Sequence, residues 1–444
     1  MANEAIIVGG GFAGLAAGVA LTEAGWRVRL LEQKPYLGGR TRSFRDSTTG
    51  SVVDNGQHII MGCYHSTIRF LKTLGTLDRI RFQPQLRLNF LESGRGQTSL
   101  VCPDVPSPWH LLLGLMGSRS LSWKEKLEAV RLGKSLSSHG QTRENLAPET
   151  VTQWLTHHGQ SPGLQRNFWD LLCIAALNED PRIASAALFE RVLRMALLTS
   201  PEDSRIGIAN VGLSETYVSE AVAFIQAHGG CVETGRSVNR IVISGDLCEG
   251  VRVMGGQRYD TSVVVSAVPW HQLATLLPEH LLRNGRHFLG VLELRPAPIV
   301  SINLWFDREV TDLDFVGLRG TTMQWLFNKG RNLGGNERYI SLILSGAHQY
   351  VNRTKEDLLD IALRDLRRLI PQARDARLLH SLVLKERFAT FSPTSEAEIL
   401  RPGVRTPVRG FYLAGDWTDT GLPATIEGAV QSGYAAARAV TEDI

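Results

Sequence analysis

The sequence predicts an α/β fold in which a Rossmann-like domain is interleaved with a second, α+β domain. Three observations lead to this prediction. A glycine-rich turn follows a short apolar strand near the N-terminus and opens a helix. Alternating strands and helices return after about residue 207, behind a long helical stretch. One more strand, at 410–413, precedes a helix at the C-terminus. A parallel sheet assembled from separated segments explains this order, because crossover connections join its strands.

The composition is that of a globular protein. Of the 444 residues, 43% are hydrophobic and 21% are charged, which is enough apolar material for one large core or two joined cores. The net charge is only +4, and basic residues form no block. This distribution argues against a nucleic-acid partner, whereas a mildly basic surface favours contact with an anionic membrane.

The cysteines and the N-terminal residues indicate in which compartment of the cell the protein is expected. The five cysteines are scattered, with no pair at the spacing of metal ligands or redox dithiols, so we expect reduced thiols and no metal site. The N-terminal residues lead into an apolar strand without a basic, cleavable leader, and no run of about 18 apolar residues occurs. We therefore expect a cytoplasmic protein that does not span a bilayer.

The elements follow in this order. The first βαβ unit has a strand at 5–8, a helix at 15–24 and a strand at 28–31. Helices dominate up to about residue 200, and Ser122 and Glu125 have the spacing of a capping box. Later strands divide into two groups, at 238–243, 248–253 and 263–267, and at 298–306, 322–327 and 339–344. We expect one domain from 1–75, 205–270 and 395–444, and a second from 76–204 and 271–394.

The turn "GGGFAG" at 9–14 has the context of a dinucleotide-binding fingerprint, since a strand precedes it and a helix follows. Gly9 allows the tight turn, Gly11 lets the backbone approach a pyrophosphate, and Gly14 lets the helix pack closely on the strand. Glu32 ends the second strand, where a carboxylate accepts both ribose hydroxyls and repels a 2′-phosphate. A glycine-rich turn can also be merely structural, so these residues alone leave the ligand open.

A second glycine motif, Gly38-Gly39-Arg40, lies six residues beyond Glu32, and a nicotinamide-binding Rossmann domain has no general need for it. It resembles the second signature of the FAD-binding family that contains amine oxidases and carotenoid desaturases, which have the two-dinucleotide-binding fold. In that family the glycines run close to the diphosphate and the arginine supplies positive charge. The resemblance implies FAD, held non-covalently, with contacts at Gly9, Gly11, Phe12, Ala13, Gly14, Glu32, Gln33, Gly39 and Arg40.

The C-terminus carries an independent match. The segment "FYLAGDW" at 411–417 is a strand that runs into an acidic turn, and "PATIEGAVQSG" at 423–433 begins a helix. In the family that it resembles, the aspartate contacts ribityl or diphosphate oxygens, and the helix points backbone amides at the O2 and N1 edge of the flavin. The positive end of a helix stabilises an anionic reduced flavin. The resemblance therefore adds Gly415, Asp416, Thr425 and Ile426 to the cofactor residues.

Two further positions rest on the same resemblance. Val238 opens a strand where relatives hold the adenine through backbone groups. The block "DNGQH" at 54–58 lies where relatives approach the isoalloxazine ring. This position makes His58 a candidate for substrate chemistry, although a lone histidine is more often a packed, hydrogen-bonded side chain.

Segments along nearly the whole chain resemble the hydroxysqualene dehydroxylases, also described as squalene-associated FAD-dependent desaturases. They are "VDNGQHIIMGCY" from 53, "AALNED" from 175, "QWLFNKG" from 324, "ERFATF" from 386 and "LAGDWTDTGLPATIEGAVQSG" from 413. One departure is Asn178-Glu179-Asp180, where we expect small or apolar residues after the asparagine. The resemblance implies that a C30 isoprenoid, hydroxysqualene, is reduced to squalene by hydride from FAD, in bacterial squalene and hopanoid biosynthesis. A dry, apolar pocket suits this chemistry, because the ionised allylic alcohol must be kept from water.

Other functions stay open at this point. A carotenoid-type desaturase or isomerase would use oxidised FAD on a similar hydrocarbon, and the sequence does not show the direction of electron flow. A non-catalytic prenyl-binding escort protein shares the fold, although the near-complete flavin signature argues against it. No general acid for the loss of water is assigned, and His58 is the candidate for it. The external electron donor is not identified, and no second nicotinamide fingerprint is recognised.

The segment 106–116 has the composition of a monotopic membrane patch. Pro106, Pro108 and Trp109 precede "LLLGLM", which places an aromatic ring at the headgroup boundary and leucines below it. An insoluble isoprenoid needs such an entrance, which predicts peripheral contact with the inner face of the cytoplasmic membrane. The alternative is that these leucines cover the core of the second domain, and changing Leu112 and Leu115 to serine would distinguish the two.

Overall fold

The computed structural model describes residues 3–138, 148–284, 286–335 and 338–444. Within these ranges the strands are, in chain order, β1 (Glu4–Val8), β2 (Arg27–Glu32), β3 (Ser43–Arg45), β4 (Val52–Asp54), β5 (Ile60–Met61), β6 (Ile80–Phe82), β7 (Arg87–Glu92), β8 (Gly96–Val101), β9 (Ile206–Ala209), β10 (Cys231–Thr234), β11 (Val238–Ser244), β12 (Leu247–Val253), β13 (Arg258–Asp260), β14 (Val264–Ser266), β15 (Pro296–Phe306), β16 (Phe315–Arg319), β17 (Trp325–Asn328), β18 (Tyr339–Leu344), β19 (Leu378–Phe391) and β20 (Phe411–Leu413).

The α-helices of the same ranges are α1 (Phe12–Glu23), α2 (His65–Thr73), α3 (Trp109–Gly117), α4 (Trp123–Ser138), α5 (Val151–His157), α6 (Pro162–Leu164), α7 (Asp170–Leu177), α8 (Ala186–Leu193), α9 (Val218–Ala227), α10 (Trp270–Leu276), α11 (Glu279–Asn284), α12 (Arg286–Glu293), α13 (Lys329–Asn332), α14 (Lys355–Leu369), α15 (Gln372–Asp375), α16 (Ser395–Leu400) and α17 (Ile426–Asp443). A short 3₁₀ turn, Gly39–Thr41, holds the second glycine motif. The predicted capping box forms at α4, where Glu125 accepts from the backbone N–H of Ser122 at 2.8 Å.

A five-stranded parallel sheet has the order β10-β2-β1-β14-β20. Successive side chains of β1 point to opposite faces, as a strand requires. Ala5 and Ile7 pack under α1, α9 and α17, whereas Ile6 and Val8 pack against the opposite layer, which contains α10, α12 and the antiparallel β11-β12-β13 sheet. The sheet is therefore buried on both faces, which explains the continuous apolar run of β1.

A seven-stranded sheet, called the large sheet below, has the order β19-β15-β18-β17-β16-β7-β8. Its neighbouring strands are antiparallel except for β16 and β7. Leu326 and Leu342 pack under α14 on one face, while Phe327 and Ile343 belong to the cluster of α4, α5, α7 and α8 on the other. The second face is the one that borders the site described below.

The predicted α/β class is confirmed, and the elements of the first βαβ unit appear where the pattern placed them. Every strand of the parallel sheet comes from the segments assigned to the first domain, and every strand of the large sheet from those assigned to the second. The helices α10 and α12, however, pack on the core of the parallel sheet. The domain boundaries stay a prediction. In the part of the chain that the structure describes, no helix has the length and apolar run needed to cross a bilayer.

Gly14 is predicted to be indispensable for the packing of α1 on β1. A Cβ atom at this position would lie 1.9 Å from the backbone oxygen of Gly9, so Gly14→Ala must displace the helix or the turn. We expect the variant to lose about 1–3 kcal/mol of stability. Thermal unfolding measures the loss, with Gly133→Ala in α4 as the control, since its Cβ meets nothing within 4 Å. Equal melting temperatures for the two variants would contradict the packing role.

Candidate functional site

A single cavity of about 1500 Å³ runs from the parallel sheet to the large sheet. Its polar end contains the residues predicted from the glycine motifs and the C-terminal motif, and its far end is apolar. The predicted residues that line it are Gly9, Gly11, Phe12, Ala13, Glu32, Gln33, Gly39, Arg40, His58, Val238, Gly415, Asp416, Thr425 and Ile426. Gly14 does not line the cavity and packs behind it. The cofactor contacts of these residues stay predictions, but one cavity brings them together.

The two glycine motifs touch each other at the polar end. A Cβ on Gly39 would lie 3.3 Å from the Cα atom of Gly11, so side chains on both loops would hold them apart. Gly11 is the N-cap of α1 and provides no side-chain cap for the first amides of the helix. These N–H groups, with the positive end of the helix dipole, suit a pyrophosphate.

Glu32 is positioned by its neighbours on both sides. It is 8% exposed, and its two carboxylate oxygens accept from the backbone N–H groups of Gly10 and Lys34, each at 2.8 Å. Each oxygen retains acceptor capacity, which fits the two hydroxyls of a ribose. Gln33 follows it and donates to Gln272 at 3.2 Å, while Val238 begins β11 at the same end of the cavity.

Arg40 and Asp416 form an ion pair in which Nη2 and Oδ1 are 2.6 Å apart. Arg40 also donates to the backbone oxygen of Ala389 at 2.7 Å, and the carboxylate of Asp416 is buried. Burial lowers the pKa of Arg40, but the charge and hydrogen bond of Asp416 outweigh that effect, so the pKa lies above its ordinary value. Arg40 therefore keeps its positive charge beside the glycine loops while it is paired with Asp416.

The N-terminus of α17 opens into the same cavity. Thr425 caps it by accepting from the N–H of Gly428 at 3.0 Å. The buried carboxylate of Glu427, in the first turn, accepts from the N–H groups of Ser66 and Thr67 at 2.9 Å, so it caps α2. The dipole of α17 and its first amides are thus available to an anionic group in the cavity.

His58 lies where the polar and apolar ends of the cavity meet. Its Nδ1 is 3.0 Å from the backbone oxygen of Gly56, which can only accept, so Nδ1 carries the proton and Nε2 of the neutral ring is an acceptor. Burial lowers the pKa of His58, and the charges of Arg40 and Lys329 add to this, against Asp54 and the hydrogen bond to Gly56. The geometry therefore favours a neutral ring that accepts a hydrogen bond.

The apolar end is formed by helices α3, α4, α7 and α8 together with one face of the large sheet. Its large side chains are mostly parts of a continuous core cluster, which excludes water from this end. They include Leu86, Leu88, Leu100, Phe168, Trp169, Phe189, Leu193, Ile299, Phe315, Trp325, Phe327 and Ile343.

The leucine-rich segment contributes to the cavity and to the surface at once. Leu112 and Leu115, for which both a membrane face and the core were considered above, line the cavity and share one face of α3. Trp109 is 59% exposed and Leu113 is 51% exposed on the same helix. The sequence interpretation predicted the start of α4 but did not include it in the membrane patch, although Trp123 and Leu127 of this helix are also among the exposed large apolar side chains.

The departure at 178–180 is accommodated by hydrogen bonds. Asn178 ends α7 with φ of 55° and donates to the backbone oxygen of Ala297 at 3.0 Å and to Thr390 at 2.8 Å. Glu179 is fully buried and accepts from Ser392 at 2.6 Å and contacts His348 at 3.0 Å. A charged residue is therefore tolerated where we expected a small or apolar one.

Two polar contacts near His58 were not predicted. Asn55 donates to Glu386 at 3.0 Å, and Lys329 pairs with Asp54 at 2.7 Å. Each contact joins two of the sequence blocks that were quoted for the family resemblance. This shared membership is the sequence feature from which the contacts could have been predicted. Neither pairing follows from sequence spacing, because the partners are more than 270 residues apart.

Comparison with known proteins agrees with this architecture. The family described as flavin containing amine oxidoreductase matches residues 12–441. A hydroxysqualene dehydroxylase of Rhodopseudomonas palustris is 31% identical, covering 98% of both chains. A 15-cis-phytoene desaturase of an Oncidium hybrid cultivar is 28% identical, covering 99% of this chain and 78% of that protein. The solved structure of an oxidoreductase from Methanosarcina mazei superimposes with a TM-score of 0.77 at 19% identity, covering 99% of this chain and 100% of that one.

Replacing Glu32 is predicted to weaken cofactor binding. Glu32→Arg removes the acceptor for the ribose and places a cation beside it, and losing one charge-assisted hydrogen bond costs about 1.5–3 kcal/mol. Flavin affinity should fall by about 10–100-fold, with a smaller loss for Glu32→Gln. Flavin content and FAD titration measure this, with Glu233→Gln as the control, since Glu233 pairs with Arg29 in the same sheet. Full flavin occupancy in Glu32→Arg would refute the assignment.

Proposed function

Because the chain belongs to the hydroxysqualene dehydroxylase family of flavin containing amine oxidoreductases, we propose that it converts hydroxysqualene to squalene, in bacterial squalene and hopanoid biosynthesis. Membership makes it an FAD-dependent oxidoreductase, as predicted, and sets aside the non-catalytic alternative. The observation that carries the finer proposal is the continuity of a polar, dinucleotide-like crevice with a large apolar pocket. Such a cavity suits one cofactor and one long hydrocarbon.

The residues of the polar end fit FAD. The amides of α1 and Arg40 would hold the diphosphate, Glu32 the ribose, and Asp416 with the start of α17 the flavin side. When bound, reduced FAD supplies the two electrons and the hydrogen that replace the hydroxyl, which leaves as water. The protein's own contribution is to fix the substrate in a dry pocket, so that the carbon that loses the hydroxyl meets the cofactor before it meets water.

His58 is proposed to orient the hydroxyl. A neutral ring with its proton on Nδ1 offers Nε2 as an acceptor, which would hold the substrate O–H in one direction. This role differs from the general acid for which His58 was the initial candidate, because a ring with a lowered pKa is a poor proton donor near neutral pH. The acid that assists departure of water stays unassigned.

A desaturase is the second candidate, favoured by the similarity to 15-cis-phytoene desaturases over nearly the whole chain. It would use the same cavity with the opposite direction of electron flow, taking electrons from an isoprenoid instead of donating them. The shape and polarity of the cavity suit both reactions, so the direction must be measured.

The direction is tested in a single turnover in deuterated buffer. Enzyme reduced by dithionite or light under nitrogen is mixed with hydroxysqualene, and the product is analysed by mass spectrometry while flavin absorbance is followed. We expect squalene with one deuterium and the return of oxidised-flavin absorbance, whereas oxidised enzyme, the control, should give no squalene. If reduced enzyme leaves hydroxysqualene unchanged and oxidised enzyme bleaches with a saturated isoprenoid, the protein is a desaturase.

We also propose that α3 and α4 form a peripheral membrane contact at the entrance of the cavity. Both helices line the cavity and contact each other, and both expose large apolar side chains. Four of these residues, Trp109, Leu113, Trp123 and Leu127, are at least half exposed and are called the entrance patch. An insoluble substrate could then pass from lipid into the pocket without entering water.

The entrance patch predicts liposome binding. Full burial of a leucine is worth about 1.5–3 kcal/mol, so Leu113→Ser with Leu127→Ser should lower partitioning by at least about tenfold while FAD stays bound. Co-sedimentation with anionic vesicles measures the effect. The control, Ile399→Ser, removes an even more exposed side chain from α16 and should change nothing. Unchanged partitioning of the double variant would reject the patch.

A further inference from the structure

The ion pair between Asp54 and Lys329 belongs to none of the cofactor contacts above. Lys329 donates from Nζ to Oδ2 of Asp54 at 2.7 Å, and the two side chains are 5% and 6% exposed. The other oxygen of Asp54 accepts from the hydroxyl of Ser43 at 2.6 Å and from the N–H of Leu213 at 2.9 Å. Since neither charge reaches water, each depends on the other.

The pair joins the short β3-β4 sheet to α13, which follows the large sheet, at the edge of the cavity. Asp54 ends β4 and directly precedes the loop 55–59, called the His58 loop, in which every residue lines the cavity. Lys329 begins α13, which follows β17 of the large sheet. The position of the His58 loop relative to the apolar pocket is therefore set in part by this contact.

The His58 loop has no regular secondary structure of its own, so its conformation depends on side-chain and isolated backbone contacts. The N–H of Asn55 donates to the backbone oxygen of Arg42 at 2.9 Å, and its side chain donates to Glu386 at 3.0 Å. Together with the pair at Asp54, these contacts hold the start of the loop from three directions.

We propose that Asp54 and Lys329 are positioning residues, which fix the His58 loop against the large sheet and keep the charge beside His58 balanced. The inference rests on the proposed function, because the pair acts on the substrate only through His58. Neither of these two buried charges is needed to bind the cofactor or the hydrocarbon, and positioning the His58 loop gives them a role.

Stability alone gives a weak reason for such a pair. Replacing a buried ion pair by apolar groups of similar size is often neutral or stabilising, since the attraction only offsets the loss of hydration. Removing one partner is different, because it leaves a buried charge without compensation. The pair is therefore better explained by what its charges do to their surroundings.

The charges act on His58 in opposite directions. The groups that face the imidazole are Asp54 from the preceding strand, Arg40 from the 3₁₀ turn and Lys329 from α13, with Glu386 of β19 joined through Asn55. The carboxylate of Asp54 raises the pKa of His58, whereas Lys329 and Arg40 lower it, in addition to burial. While Asp54 and Lys329 are paired, their effects offset each other and the ring stays neutral.

The test compares Lys329→Met, Asp54→Asn and the double variant, each loaded with FAD. The imidazole of His58 is titrated by NMR with labelled histidine, and its signal is assigned among the 12 histidines by its loss in His58→Gln. We expect Lys329→Met to raise the pKa of His58 and Asp54→Asn to lower it, each by roughly half a unit or more, with the double variant close to the parent. A purely structural role predicts no opposite shifts. If the pKa of His58 shifts in the same direction in both single variants, or does not shift, the proposal is overturned.

The double variant keeps the proposal testable if the single variants do not fold, because it contains no unpaired buried charge. Hydrogen exchange followed by mass spectrometry should show faster exchange in the peptide that covers 54–61, and unchanged exchange in the parallel sheet. Asp365→Asn is the matched control, since Asp365 is buried and accepts two backbone N–H groups away from the loop. Unchanged protection of the 54–61 peptide would overturn the proposal.

Measurement of turnover distinguishes a failure of this inference from a failure of the proposed function. With hydroxysqualene and reduced enzyme, the double variant should lose about tenfold or more in kcat, while KM and flavin content stay near those of the parent, since misplacement affects the reacting geometry. If the parent enzyme does not convert hydroxysqualene, the proposed function fails, but the titration and exchange measurements still decide whether the pair positions His58. A double variant with full kcat would overturn the positioning role.

Discussion

The ion pair between Arg40 and Asp416 is the interaction on which the polar end of the cavity depends. It joins the second glycine motif to the C-terminal strand, across 376 residues of sequence. Taking a carboxylate and a guanidinium out of water is costly, and the pair offsets this cost only with good geometry and additional hydrogen bonds. Arg40 meets this condition through Ala389, and its remaining exposure is toward the cavity that it lines. Arg40 can therefore contact an anionic ligand in the cavity while it stays paired with Asp416.

The helix ends around the cavity are likewise arranged so that a buried charge has a hydrogen-bonding partner. The start of α1 has no side-chain cap, whereas the start of α17 is capped by Thr425 and carries Glu427 in its first turn. An acidic residue there would oppose an anionic flavin, but its carboxylate is occupied by the N–H groups at the start of α2. Glu427 thus stabilises one helix terminus and leaves the dipole of α17 for the cavity.

The sequence allowed the local parts of the site to be predicted, and the structure shows why the remaining parts were missed. Strand, glycine turn and helix follow each other within a few residues, and their side-chain requirements are steric, so Gly9, Gly14 and Glu32 were accessible from spacing alone. Pairs such as Asp54 with Lys329 leave no periodic signal, because Asp54 ends β4 and Lys329 begins α13, 275 residues later in the chain. The sequence also left open whether Leu112 and Leu115 face a membrane or the core of the second domain. At about 100° per residue, Trp109 and Leu113 share one face of α3 and Leu112 and Leu115 share another, a division that composition does not show.

The cavity has two ends of different polarity, which are built from different parts of the fold. The polar end is built from backbone amides, helix ends and a few charged side chains. The apolar end is built on one face of the large sheet and on α3, α4, α7 and α8, so its lining can change without disturbing the glycine motifs. The His58 loop stands between these two parts. The N–H of Asn55 is bonded to Arg42, beside the second glycine motif, whereas Glu386 of the large sheet and Lys329 of α13 hold the loop from the other side. A change of side chain in the apolar lining, on the large sheet or on α3, α4, α7 and α8, would therefore alter the shape of the far end and leave the glycine motifs in place.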